Sequence, residues 1–447
     1  MKNYLLLFLC IGLASCTKFL DTKPNQALAV PNTLSDLQAI LDNYPKINNQ
    51  DPGSGEVSSD DYYLSDADWS GLGEPDRRLY TWEKDYVSYN YQNDWSMVYS
   101  TIYLSNVVLD KIGSIPRTAA NQVDWDNVKG MALLIRARGF LTAVTLWSEA
   151  YDPSTAKSMP GIPLRMSEDF NQPSVRGTVE QTYTQILIDL KESSTRLPVT
   201  PIHVIRPSQP AAYALLARTY LAMGNYDSCV LYADKCLQSG PVLLDYNTLN
   251  PSAAYPISQF NAEVIMEDQT PTPPPVYFTR GRIDSNLYNS YAANDLRKTI
   301  FFKNNGNGSY AFKGSYEGGG NLFSGVATDE VYLMRAEASA KTGKLQQAVS
   351  DLNTLLQKRW KTGTFVPYAN LSQSSLLQLI RVERRKELLM RGLRWMDIKR
   401  LNVEGAGIAL TRIVNGQTYT LPAGDPRFAI AIPEEVILLS GIQQNKR

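Results

Sequence analysis

Two stretches of this chain repeat one another, and the repeat restricts the fold more than any other feature. Residues 211–237 and 330–358 each read as two helices joined by a tight turn, about Gly224-Asn225-Tyr226 in the first and Gly343-Lys344-Leu345 in the second. Placing Gly343 on Gly224 puts Tyr332 on Tyr213, Ala336 on Ala217 and Ala348 on Cys229. Small side chains at matching places let antiparallel helices approach closely, so the chain is committed to a helical scaffold.

The spacing is that of tetratricopeptide repeats, helix pairs of about 34 residues. The copies stand far apart in the sequence, which predicts a curved scaffold interrupted by long excursions and not a continuous solenoid. Other helices are expected at 33–41, capped by Thr33 or Ser35, and from near Tyr91, where Trp95, Val98, Tyr99, Ile102, Val107 and Leu109 recur at helical spacing. Two more fall at 128–147 and at 178–190, the latter opened by a Thr178/Gln181 capping box. Between them, 48–73 has no period and reads as a long loop region, ordered by its Tyr and Trp. The largest excursion, 240–328, is dense in Pro and Gly and predicts irregular chain with short strands. A hairpin turning at Asn415-Gly416 is expected within 411–431. The fold class is therefore mostly α: tetratricopeptide-type helix pairs forming a scaffold, with a loop-rich binding face and a few short strands.

The amino terminus has the layout of an export signal. Met1 and Lys2 lead into a nine-residue apolar run, Leu5 to Leu13, followed by Ala14-Ser15-Cys16. A membrane-spanning helix needs ~20 residues, so this run does not persist as an anchor. The Leu-Ala-Ser-Cys ending is similar to the lipobox of bacterial lipoproteins, which implies acylation of Cys16, with palmitate among the chains attached; the plainer reading is a secreted protein cut near Ala14. The expected division is 1–15 signal peptide and 16–447 one large domain, with 16–240 a helical part carrying a long ligand-loop region, 241–328 the loop-rich excursion and 329–447 the carboxy-terminal part.

Composition narrows the chemistry. Lys plus Arg equals Asp plus Glu at 44 each, so no net charge steers the protein to nucleic acid or to an anionic surface. His203 is the only His in 447 residues, which disfavours triads and His-rich metal sites. Cys229 and Cys236 lie seven apart on one expected helix, a rise of ~10 Å that is too far for a disulfide. They read as small packing residues. The 26 Tyr and 7 Trp exceed the 12 Phe, a bias toward rings with polar tips that suits wet binding surfaces and also helix packing.

Several stretches carry a family resemblance. They are residues 127–140 running on to Trp147 and Gly161-Ile162-Pro163-Leu164; 211–224; Glu330-Val331-Tyr332-Leu333-Met334-Arg335-Ala336-Glu337-Ala338; and, most specific, 381–388 continuing through Gly392-Leu393-Arg394-Trp395-Met396-Asp397-Ile398-Lys399-Arg400. Ala431-Ile432-Pro433-Glu434-Glu435, Ile442-Gln443-Gln444-Asn445 and Lys18-Phe19-Leu20-Asp21 fit the same pattern. In order and over nearly the whole mature chain, these resemble the SusD/RagB family. The resemblance implies an outer-membrane, cell-surface-facing lipoprotein of a Gram-negative bacterium, partnered with a SusC-like TonB-dependent transporter. It implies capture of an oligosaccharide, alternatively a peptide, and no catalytic activity.

Candidate ligand residues follow from what sugars need: flat rings beneath C–H faces, with hydrogen-bonding groups at the edges. Two regions supply the mixture. One holds Tyr62, Tyr63, Asp68, Trp69, Tyr80 and Trp82; the other holds Tyr277, Tyr288, Asn289 and Tyr291. Trp69, beside Asp68, Ser70 and Gly71, reads as the most exposed ring; Trp82 is also compatible with the core.

The remaining motifs read as structural. Asp60, Asp61, Asp66 and Asp68 offer on paper a glycosidase pair or a Ca²⁺ loop, but EF-hand spacing is absent, and the expectation is no cofactor and no catalysis. Gly318-Gly319-Gly320 lacks the Gly-Lys-Ser/Thr of a phosphate loop. The basic 381–400 segment is expected to be a partly buried helix, with Glu387 and Arg391 paired four apart, Leu389, Leu393 and Met396 as its apolar stripe, and guanidinium groups bound to carboxylates and carbonyls of nearby loops. Asp295-Leu296-Arg297 reads as an internal ion pair. The rivals to a binding receptor are a surface glycoside hydrolase and a groove-type peptide adaptor.

Overall fold

The computed structural model describes residues 31–84 and 93–447. The expected signal, Cys16 and the 18–21 motif lie outside the described residues.

Helices dominate. Asp94–Ile112 and Gln122–Trp147 pack as a first antiparallel pair. Val179–Arg196 lies against the second of these, and Gln209–Ala222 and Tyr226–Gln238 continue the series. Gln122–Trp147 is long and apolar enough to cross a membrane, but most of it is buried by neighbouring helices, which makes it a core helix. The capping signals operate where they were read. Thr33 caps Leu34–Leu41 in a box with Asp36, and Thr178 caps Val179–Arg196 in a box with Gln181.

The repeat has a consequence the sequence did not show. Tyr226–Gln238, the second helix of one pair, packs directly on Thr328–Lys341, the first helix of the other. The scaffold is thus continuous in space although interrupted in sequence. Ala217, Cys229, Ala336 and Ala348 are all fully buried in these contacts. Arg335 crosses the junction, reaching Asp234 at 2.6 Å on one side and Asp351 at 2.6 Å on the other. Both turns place Gly in the left-handed region, Gly224 at φ 69 and Gly343 at φ 80, where an L side chain would be strained. Cys229 and Cys236 are unbonded, and burial pushes both thiols up to about 12.

Two expectations need correction. The 48–73 segment is not one loop; it holds helical turns Ser54–Ser58 and Asp66–Ser70 around strand Tyr62–Tyr63. The 381–400 segment is not one helix. Gln373–Glu387 ends, Met390 and Gly392 take φ 57 and 70, and Arg394–Val403 begins. Arg391 therefore leaves Glu387 and turns to Asp329 at 3.2 Å. The excursion is built of two-stranded ladders as expected, and the Asn415-Gly416 hairpin joins Leu410–Val414 to Gln417–Leu421.

Candidate functional site

The basic segment sets where the loops sit. Arg394 holds Asp60 at 2.7 Å, and Arg385 holds Asp61 at 2.8 Å. Arg297, fully buried, meets Asp295 at 2.7 Å, Glu383 at 2.5 Å and Glu387 at 2.9 Å. Arg359 joins Glu387 to Glu263 at 2.6 and 2.7 Å. Guanidinium–carboxylate pairs of this kind are directional, so one carboxy-terminal segment fixes both candidate ligand loops at their bases. The expected Asp295–Arg297 pair is present within this network.

Two neighbouring carboxyls respond differently. Glu56 is buried, with Asp61 adding like charge, and its pKa rises to about 8. Burial also opposes ionisation of Asp60, but the Arg394 hydrogen bond and the charges of Arg394 and Arg385 outweigh it and hold Asp60 at about 2.

The two candidate ligand regions meet. Strand Tyr62–Tyr63 pairs antiparallel with Arg282–Ile283, Tyr62 opposite Ile283 and Tyr63 opposite Arg282. Arg282 also binds Asp68 at 2.5 Å. Gly53 admits the Pro-rich run beside them: a Cβ there would lie 2.8 Å from Pro273 Cγ. On the solvent side Tyr63, Tyr277 and Phe278 are exposed. Trp69 is half-buried, with Arg77 5.7 Å over its ring, and its indole N–H meets no acceptor among the described residues. Tyr288 stacks on Tyr310 at 3.5 Å, with Lys298 over its face, and Asn289 beside it is exposed.

Four expected rings lie elsewhere. Tyr62, Tyr80 and Trp82 are buried around one guanidinium, that of Arg412, at 5.2, 3.6 and 4.6 Å from their centroids. Tyr291 is buried with its hydroxyl donating to Lys386 O at 2.7 Å. These rings offer no face to a ligand, and their place in the ligand set is corrected on that ground. A cation needed neighbours that strand pairing and the hairpin supplied, and sequence spacing does not encode that.

The four Asp do not converge either. Asp60, Asp61 and Asp68 each hold an Arg, and Asp66 accepts the Asn415 N–H at 2.8 Å. Among the described residues no cluster of three carboxylate, His or Cys groups is placed to hold a metal.

One site was not read from the sequence. An open groove of about 620 Å³ is lined by Tyr44, His203, Gln259, Phe260, Glu317 and Asn321 among others. Phe260 is exposed, and His203 meets its ring edge-to-face at 4.6 Å. Its backbone sits at φ 54, which is costly for a bulky residue and concentrates at functional places. The only sequence signals were the lone His203 and the Gly318–Gly320 run.

Residues 18–221 match a SusD-like family model described as starch-binding and associating with the outer membrane, and residues 328–424 match the SusD/RagB family model. Among curated proteins none matches the chain. A SusD superfamily protein from Bacteroides thetaiotaomicron shares the fold at TM-score 0.76 and 22% identity, covering 93% of this chain and 100% of that one. A SusD-like carbohydrate binding protein from Bacteroides vulgatus does so at 0.70 and 20%, covering 92% and 97%. A SusD superfamily protein from Bacteroides fragilis gives 0.73 and 22%, covering 92% and 99%. The helix-pair scaffold, the loop-fixing basic segment and both family models agree, and the chain belongs to the SusD/RagB family, a family of binding proteins.

Proposed function

We propose that this protein is a surface-facing outer-membrane lipoprotein, anchored through acylated Cys16, that captures an oligosaccharide and delivers it to a SusC-like TonB-dependent transporter without altering it chemically. The observation that supports a saccharide is the rim at the junction of the two ligand loops. Tyr63, Trp69, Tyr277 and Phe278 present ring surface there, beside the Asp68–Arg282 pair. A pyranose sets its C–H face on such rings and its hydroxyls on such edges. Tyr288 and Asn289 remain further candidates on the second loop. Capture and release require modest affinity, because tightly held cargo leaves slowly.

Calorimetry of the protein beginning at Thr17, against a panel of glycans and peptides, tests this. Binding of a glycan that Trp69→Ala weakens supports the reading. Binding of peptides alone turns it to a peptide receptor, and release of reducing ends from a bound glycan would replace it with a hydrolase. Labelled palmitate that fails to attach at Cys16 removes the anchor.

A further inference from the structure

The groove beside Phe260 has no lining residue in common with the rim, and its volume of about 620 Å³ lies in the ~300–1,000 Å³ range of small-ligand sites. Phe260 is its unusual feature. The backbone there is held at φ 54, a left-handed conformation that is unfavourable for a bulky side chain. Burial of the ring would ordinarily offset such strain, but this ring is 40% exposed. Its one ring partner among the described residues is His203, which is itself exposed and meets it edge-to-face at 4.6 Å. The fold gains little from this arrangement; a ligand gains a fixed, flat apolar face.

The polar groups of the lining are each half used. Gln259 donates from Nε2 to the Tyr44 hydroxyl at 3.1 Å and to Glu317 Oε2 at 3.0 Å, which leaves its Oε1 without a donor from any described residue. Asn321 donates from Nδ2 to Gln269 Oε1 at 2.6 Å, which leaves its Oδ1 in the same state. Both carbonyl oxygens are open to solvent. His203 Nδ1 accepts the Ile205 N–H at 3.3 Å, so the neutral ring carries its proton on Nε2, where no described residue accepts it. Gly319 and Gly320 add bare backbone. A Cβ built on either would lie 3.7 Å from its nearest neighbour, so packing does not require glycine there.

Open acceptors, an N–H donor and an apolar ring together match a sugar. Hydroxyl hydrogens suit the two carboxamide oxygens, a hydroxyl oxygen suits His203 Nε2, and a C–H face suits Phe260. Among the described lining residues there is no Lys or Arg, so a uronate, sulfate or phosphate group would bring its charge to a wall without a cation. We propose that this groove is a second saccharide site, selective for neutral sugar units. The proposal rests on the saccharide-receptor reading and adds to it a site and a charge selectivity. The groove also has a covalent link to the rim: Thr272 Oγ1 donates to Gly320 O, and the run that begins at Thr272 carries Tyr277 and Phe278.

The test is calorimetry of the full chain in detergent with maltohexaose, xylohexaose and mannohexaose as neutral probes and hexagalacturonate as the acidic one. The neutral sugar that binds is expected to fill two sites, one lost in Trp69→Ala and the other in Gly319→Leu, whose added side chain enters the groove without meeting a packed neighbour. Phe260→Gly separates binding from folding. It relieves the left-handed strain, so the unfolding midpoint should hold or rise, while affinity at the groove falls about tenfold. Hexagalacturonate should show no binding that Gly319→Leu removes. A single site unaffected by Gly319→Leu and Phe260→Gly overturns the groove proposal and leaves the receptor standing, as does uronate that alone binds and depends on Trp69. Uronate binding lost in Gly319→Leu, or a midpoint lowered by Phe260→Gly, which would make the ring structural, also overturns it. If no glycan binds, both readings fall.

Discussion

Tyr62 and Tyr63 are adjacent in the chain and have opposite fates. Tyr62 faces inward onto Arg412 with Tyr80 and Trp82; Tyr63 faces outward beside Arg282. Strand geometry forces the alternation, since successive side chains point to opposite faces. What distinguishes the inner set from the rim is therefore not residue type but the neighbour each ring meets. The inner cage is a stability device. Arg412 donates to Tyr80 O, to Val57 O at 2.9 Å and to Ser59 O at 2.5 Å, tying the carboxy-terminal hairpin to the first ligand loop. The rim has few such ties, and its rings are open to a ligand.

The strongest way to break this contrast is Arg412→Ala. It removes three carbonyl contacts and a desolvated cation–π cluster, and a loss of about 3–5 kcal/mol is expected in chemical denaturation. An unfolding midpoint close to that of the parent protein would mean the cage is not structural. Next is Trp69→Ala on the rim, expected to weaken glycan binding by about 2 kcal/mol in calorimetry, the scale of a buried aromatic anchor. Smaller still is a matched pair. Tyr80→Phe leaves the Leu64 N–H, which donates to the Tyr80 hydroxyl at 2.9 Å, without a partner and should cost about 1–2 kcal/mol. Tyr63→Phe should change stability by less than about 0.5 kcal/mol. If the two behave alike in thermal unfolding, the inner and outer assignment is mistaken.

A separate test of the buried carboxyls is in pH. Glu56 has a folded pKa near 8, above the ordinary Glu value of 4.5. Between those values the folded state binds more protons than the unfolded one, so this group makes stability fall as pH rises. Asp60, held at about 2, works the opposite way: its contribution is present above the usual Asp value of 3.8 and is lost as pH drops toward 2. Glu56→Gln, which cannot titrate, should flatten the decline between about pH 5 and 8. Denaturation curves across that range check it; an unchanged slope rejects the assignment.

Legibility from sequence differed by kind of interaction. Local signals carried through: the Thr33 and Thr178 caps, the glycine turns at 224 and 343, and the Asn415-Gly416 hairpin all depend on residues a few positions apart. The identity of the basic segment as a loop-fixing element was also readable, though its break at 388–393 was not. A turn there required Arg391 to reach Asp329, a partner 62 positions away.

By itself the sequence determined the helix pairs, their caps and turns, and the two aromatic regions proposed as the ligand surface, because each is set by short-range backbone preference or by composition. Only the tertiary structure decided that the two repeats touch, and that Tyr62, Tyr80, Trp82 and Tyr291 turn inward while Tyr63, Tyr277 and Phe278 do not. The physical reason is distance along the chain. Burial and charge pairing depend on which remote segments arrive at the same place, and periodicity in one segment does not report the position of another.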